Sequence, residues 1–250
     1  MQNGNLPHGP GKLIEQVRLH DSGDPHRDSS RLSEIILGGQ DGLVNVLGVI
    51  LGVAAATSDP RIVIAAGMAA TFAESVSMGA VAFTSTQAEH DLYHSERERE
   101  HRHIHIAPEV EIDEIREIYR KKGFEGETLD KIVEVITSNP DIWVNVMMAE
   151  EFQMTPPEKG HAFNSALLVG LSALIGSLIP MTPFFFLDVR LSMWIAIAIA
   201  AVTLFIVGAY KARVTVGHPM RSGLQIALIG TLSALVGYVI GLIFKVPTVP

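Results

Sequence analysis

The sequence predicts an all-α membrane protein: five transmembrane helices with a cytosolic helical insert between helices two and three. Three observations predict it. Five runs reach the roughly 20 apolar residues that cross a bilayer core, namely Ile35–Ala56, Ile62–Phe83, Ala162–Pro180, Leu191–Tyr210 and Ser222–Phe244. Charge is segregated, with 18 of the 27 acids and nine of the 19 bases falling between Thr86 and Gly160. Lysine and arginine also favour alternate links, as they do on the cytosolic side of a membrane protein.

Taken in order, the expected segments are a polar cytosolic tail over 1–31, helices one and two over 32–85, a helical domain over 86–160, and helices three to five over 161–250. The first 34 residues lack an apolar core flanked by a cleavage site, so no signal peptide is expected. They read as a loose tail. The basic side holds Lys12, Arg18, Arg27 and Arg31 of the tail, the nine bases of the insert, and Lys211, Arg213 and Arg221 between spans four and five. The opposite side holds Arg61, Arg190 and Lys245. The N-terminus and residues 86–160 are therefore expected in the cytosol, with the C-terminus outside or lumenal. The chain has no cysteine, which excludes disulfides, zinc fingers, iron–sulfur ligation and thiol nucleophiles. A net charge of −8 argues against nucleic acid as a partner. In the fifth span, Gly237 and Gly241 are spaced for close helix contact. That contact is either internal packing or a dimer interface.

The second span has no proline between Ile62 and about His105. It is expected to continue as one helix about 60 Å long, twice the apolar thickness of a bilayer. Three shorter helices should follow, over about 108–122, 128–138 and 141–154. Pro108 suits a first turn, Gly123 suits a stop, and Asn139-Pro140 separates the last two.

Two spans carry acids. Asp41 lies in the first and Glu74 in the middle of the second. A carboxylate at that depth costs about 3 kcal/mol or more unless it is paired or faces water, so both are functional candidates. Asn45 follows Asp41 by one turn, and Met78 follows Glu74 by one turn. Carboxylate and amide oxygens suit Fe²⁺ and Mn²⁺, while a thioether disfavours Mg²⁺ and Ca²⁺. The alternatives are that Asp41 pairs with Arg31 and that Met78 only packs. In the insert, Glu96, Glu100 and His103 share one helix face, as do Glu111 and Glu114, and Met147 with Glu151. Met148 and Glu150 complete this candidate metal-binding set. The alternating Glu-Arg-Glu-Arg-Glu of 96–100 also fits a solvated, ion-paired face.

These residues resemble the vacuolar iron transporter family, which includes the yeast calcium-cross-complementer and nodulin-21-like proteins. The resemblance runs along nearly the whole chain from Leu32. It rests on Asp41-Gly-Leu-Val-Asn-Val-Leu-Gly-Val49, Glu74-Ser-Val-Ser-Met78, the segment Pro108–Gly123 and Trp143-Val-Asn-Val-Met-Met-Ala-Glu-Glu151. It implies a homodimer in the lipid bilayer that moves Fe²⁺, often Mn²⁺, out of the cytosol in exchange for protons. It implies a pathway between protomers that includes Asp41 and Met78. The insert's ligands map onto Glu100, Glu111, Glu114, Met147 and Glu151. No permanent cofactor is expected; Co²⁺, Ni²⁺ and Zn²⁺ are further candidate ions. The membrane would be the plasma membrane in a prokaryote and a vacuolar or organellar one in a eukaryote. Two departures stand out: Gly79-Ala-Val-Ala-Phe83 occupies the place of a frequent Gly-Glu-Tyr, and His103 that of a glutamate.

Two rivals belong to other classes. One is a membrane-anchored, ferritin-like di-iron oxidase, suggested by Glu98-Arg-Glu-His101 and Glu100-His-Arg-His103. It needs two such motifs on different helices, whereas these overlap on one. The other is a metal storage or sensor protein, which would gain nothing from Asp41 and Glu74.

Overall fold

The computed structural model describes residues 25–157, 160–215 and 217–244, with side chains from Arg31 onward. The tail reading over 1–24, with Lys12 and Arg18, and the placement of Lys245 lie outside the described residues. Among the described residues the elements are α1 (Pro25–Ala56), α2 (Pro60–Ile106), α3 (Pro108–Lys121), α4 (Gly126–Thr137), α5 (Pro140–Glu150), α6 (His161–Met181), a 3-10 turn (Thr182–Phe185), α7 (Val189–Val214) and α8 (Pro219–Ile243). α1, α2, α6, α7 and α8 are each long and apolar enough to cross a membrane. The protein is an all-helical integral membrane protein.

Helix boundaries follow local chemistry. Five of these helices begin at a proline, whose fixed φ and missing N–H suit a first turn. Asn139 caps α5 by accepting from the N–H groups of Asp141 and Ile142, and Asp188 caps α7 by accepting from Leu191 N–H at 3.1 Å. Gly123 ends α3 with φ +93°, a left-handed turn that favours glycine.

The start of α1 and the end of α5 differ from expectation. α1 begins at Pro25, ten residues ahead of its apolar run, because no breaker separates Pro25 from that run. The expected tail therefore already contains helix over 25–31. α5 stops at Glu150 rather than 154, as Gln153 takes a positive φ of 55° and the Met154 N–H turns back to Met148 O at 2.9 Å. α6 carries Pro180 within its last turn and tightens into the 3-10 turn after Met181.

The described residues form two compact units. One comprises residues up to Val81 and from Ser165 onward; the other is Ala82–Asn164. The first unit has its core where α1, α7 and α8 pack, around Leu43, Leu47, Ile50, Ala200 and Leu204. Small residues bring these helices close. A Cβ on Gly237 or Gly241 would overlap the backbone carbonyls of Gly48 and Gly52 in α1. The glycine pair of the fifth span thus packs against α1 of the same chain.

The second unit has a smaller core of Tyr93, Ile104, Ile115, Leu129, Val133, Trp143, Val144, Met147 and Met148. It joins the distal part of α2 to the three short helices. Arg116 and Asp130 pair between α3 and α4, and Arg97 and Asp141 pair between α2 and α5 at 3.5 Å.

Candidate metal centres

In the first unit, α1 carries Asp41 and Asn45 one turn apart, and α2 carries Glu74 and Met78 one turn apart. Asn45 Nδ2 donates to Glu74 Oε1 at 3.0 Å. The Asp41 carboxyl lies near enough to interact with that of Glu74. Asp41, Glu74 and Met78 are half-buried and Asn45 is exposed. The structure therefore joins Asp41, Asn45 and Glu74 across two helices. Met78 shares the helix face of Glu74, one turn along.

The neighbouring contacts fix these two helices in place. Thr71, wholly buried on α2, donates its hydroxyl to Met181 Sδ of α6 at 3.4 Å. Ser75 Oγ donates to Thr71 O at 2.8 Å, so it is held by its own helix. Gly42, beside Asp41, leaves space for Ser177, whose Oγ would lie 2.7 Å from a Cβ there. One acid escaped the sequence reading. Glu34 was counted with the polar tail, yet it is half-buried on α1 and its Oε1 accepts from Ser165 Oγ at 2.9 Å. Its spacing of seven from Asp41 was the available signal, since residues i and i+7 share a helix face.

The second unit gathers a denser cluster. Glu100 and Glu111 are only 2% and 5% exposed. His103 Nδ1 stands 3.6 Å from Glu100 Oε1 and 3.4 Å from Glu111 Oε1. A first-row divalent cation bonds such atoms at about 2.0–2.2 Å. Ligand atoms around one ion then lie about 3–4 Å apart, the range these three occupy. The second oxygens of Glu100 and Glu111 are buried, with no hydrogen-bond partner among the described residues. That arrangement is costly without a cation to satisfy them.

The electrostatics agree. Burial, then the charges of Glu114, Glu100 and Glu151, push the Glu111 carboxyl up to about 7. Burial is also the largest cause that raises Glu100, with His103 opposing it. Glu151 is raised by burial and then by Glu114 and Glu100. Glu100, His103 and Glu111 thus form one group drawn from α2 and α3, and Glu114 and Glu151 lie near enough to influence its carboxyls.

The remaining candidates are placed differently. Glu96 is paired with Arg99. Glu150 is taken by Lys122, Nζ to Oε2 2.6 Å, so it turns to a separate ion pair. Met147 and Met148 are wholly buried in the apolar core. Glu151 follows Met147 by one turn, its N–H bonding to Met147 O at 2.9 Å. The two Glu-x-x-His motifs diverge. Glu98 is exposed and His101 stands 4.0 Å from Asp141, while Glu100 and His103 turn to Glu111. Residues two apart lie about 200° around a helix. Among the described residues one such three-ligand group is found, which disfavours a di-iron centre.

This clustering predicts opposite effects on stability and binding. A folded-state carboxyl raised from 4.5 to about 7 holds its proton more tightly than in the unfolded chain. Its stabilising contribution is full below about 4.5 and is lost as pH rises through about 7. Glu111→Gln removes that loss. At pH 8 the metal-free protein should gain about 1–2 kcal/mol and unfold at higher temperature in calorimetry. The same variant should bind divalent metal far more weakly in titration calorimetry. A variant neither stabilised nor impaired in binding would make Glu111 a solvated acid.

The model of the VIT family matches residues 32–242, a range that contains both groups. The chain is 31% identical over 206 residues to vacuolar iron transporter 1 of Tulipa gesneriana, covering 82% of this chain and 83% of that one. It is 30% identical over 236 residues to vacuolar iron transporter 1 of Oryza sativa subsp. japonica, covering 94% of each. It is 29% identical over 238 residues to the vacuolar iron transporter of Plasmodium falciparum (isolate 3D7), covering 91% and 87%. With five apolar helices, paired acids inside two of them and matches of this length, the chain belongs to the VIT family.

Proposed function

We propose that the chain transports divalent transition metal, Fe²⁺ and with it Mn²⁺, out of the cytosol in exchange for protons, and that it works as a homodimer. The carrying observation is the meeting of Asp41, Asn45 and Glu74 from two membrane-crossing helices. Acids in a span that face each other mark an ion pathway. One divalent cation neutralises two facing carboxylates, and so do two protons, so the two loads are natural competitors. The Glu100–His103–Glu111 group collects metal from the cytosol, within a domain over 86–160. The relatives' names as iron transporters support Fe²⁺ as cargo.

The N-terminus and residues 86–160 lie in the cytosol, and the C-terminus lies outside or in a lumen. α2 supports the dimer. Its apolar window is the least covered of the five, 17% buried, and it exposes Phe72 and Val76 beside Glu74. A second copy placed there would complete the pathway and cover that surface.

Anaerobic Fe²⁺ flux into proteoliposomes with an imposed pH gradient tests this. Flux that accelerates when the receiving side is acidic is the expected result. No flux above empty vesicles would overturn transport, and flux indifferent to the gradient would overturn the exchange.

Metal choice provides a further prediction. If the Met78 thioether is a ligand, Met78→Leu keeps the side chain's bulk but loses a soft donor that favours later metals over Mg²⁺ and Ca²⁺. Fe²⁺ flux should fall by about tenfold, equivalent to about 1.4 kcal/mol, and Fe²⁺/Mg²⁺ discrimination should narrow. An unchanged rate and ratio would make Met78 a packing residue.

A further inference from the structure

Besides the carboxylate cluster, α2 carries a pair of imidazoles that the cluster does not use. His90 and His94 are one turn apart, with ring centroids 4.5 Å apart and planes inclined at 52°. His90 precedes Glu100 by ten residues, about 15 Å along the helix axis, so the pair cannot share an ion with Glu100, His103 and Glu111. The buried Tyr93 ring lies edge-on to His94, centroids 5.5 Å apart. His90 Nδ1 is shielded from solvent and has no hydrogen-bond partner among the described residues. The nearest acid is Asp91, whose Oδ1 is 3.7 Å away and already accepts from Gln87 Nε2 at 3.0 Å.

A buried imidazole nitrogen without a partner is a cost, and a cation that accepts its lone pair removes it. Two histidines at i and i+4 present their rings to one side of a helix, the spacing at which helical histidines hold a single metal ion. Nitrogen donors select borderline cations, with affinity rising from Mn²⁺ toward Cu²⁺. Carboxylate-rich groups discriminate less in that direction.

We propose that His90 and His94 form a second metal site, separate from the carboxylate cluster, for a late first-row divalent cation such as Ni²⁺, Cu²⁺ or Zn²⁺, with the two imidazoles as its protein ligands and water completing the shell. An ion held there clips two successive turns of α2 together. The site does not depend on the transport reading, since it asks only which metals the protein binds and where.

The test uses full-length protein in detergent, purified without a histidine tag. With Cu²⁺ added at one equivalent, electron paramagnetic resonance should show coupling to two nitrogens. His94→Gln should reduce that to one, and Glu100→Gln with Glu111→Gln should leave it at two. In Zn²⁺ titrations His94→Gln, or His90→Gln if the first variant folds poorly, should weaken one site by about tenfold or more. Fe²⁺ binding at the carboxylate cluster should be unchanged. On the unaltered protein, Zn²⁺ should protect His90 and His94 from modification by diethyl pyrocarbonate, read by mass spectrometry. Nitrogen coupling that is insensitive to His94→Gln would overturn the proposal. So would equal modification of both histidines with and without Zn²⁺.

Discussion

Proteoliposomes carrying Glu74→Gln are expected to show no Fe²⁺ flux above protein-free vesicles, and the same is expected of Asp41→Asn. Both substitutions keep the size of the side chain and remove its charge. In the Gln variant the amide oxygen still accepts from Asn45 Nδ2, which donates to Glu74 Oε1 at 3.0 Å in the unaltered protein. The packing of α1 on α2 is therefore preserved, and the loss reports on charge alone. A divalent cation facing one carboxylate instead of two lacks half of its compensation. At about 3 kcal/mol for an uncompensated charge at this depth, flux falls by a factor of about 100 or more. Metal binding by the Glu100–His103–Glu111 group should persist in both variants, since that group belongs to the other compact unit. Thermal unfolding close to that of the unaltered protein establishes that the fold survived. A well-folded Glu74→Gln protein that transports at the original rate would remove these acids from the pathway, and with them the main support for proton exchange.

How far the sequence foretold this arrangement depends on whether a feature is local. The five spans were legible because a bilayer imposes a length and a composition on each helix separately. The starts of α3 and α5 were legible because Pro108 and Asn139-Pro140 act on their own turns. The pairing of Glu100 with Glu111 was reachable only as a shared ligand list. Glu111 and Glu150 look alike in sequence. Tertiary packing turns the first toward Glu100 and His103, and Lys122 draws the second away. The alternating charges of 96–100 hide a further distinction: Glu98 is exposed while Glu100 is buried, because 200° of helix separates them. Glu34 was missed since a polar stretch preceding an apolar run reads as tail, and nothing local reveals that Ser165 reaches it from α6. Gly237 and Gly241 had a legible spacing but no legible partner. A small-residue pair looks the same whether it meets its own chain or another.

That ambiguity leads to the second large effect. Gly241→Val and Gly237→Val are expected to destabilise the protomer itself. A Cβ on either glycine would overlap a backbone carbonyl of α1, at Gly52 and Gly48 respectively, and in the reverse direction a Cβ on Gly52 would lie 2.8 Å from Gly237 O. Backbone cannot rotate aside as a side chain can, so α8 must move away from α1. The apolar core around Leu43, Leu47 and Ala234 then loses its fit. Forcing added bulk into a packed interface costs about 1–3 kcal/mol per site. The thermal midpoint in detergent should therefore drop by several degrees for each variant. Leu228→Val on the same helix, at a side chain 54% exposed, should have little effect and serves as the control. The oligomeric state of the protein that remains folded should be unchanged, because these glycines face α1 of their own chain. Unaltered stability together with loss of the dimer would return Gly237 and Gly241 to a contact between protomers. The proposed interface would then have to include α8 rather than α2.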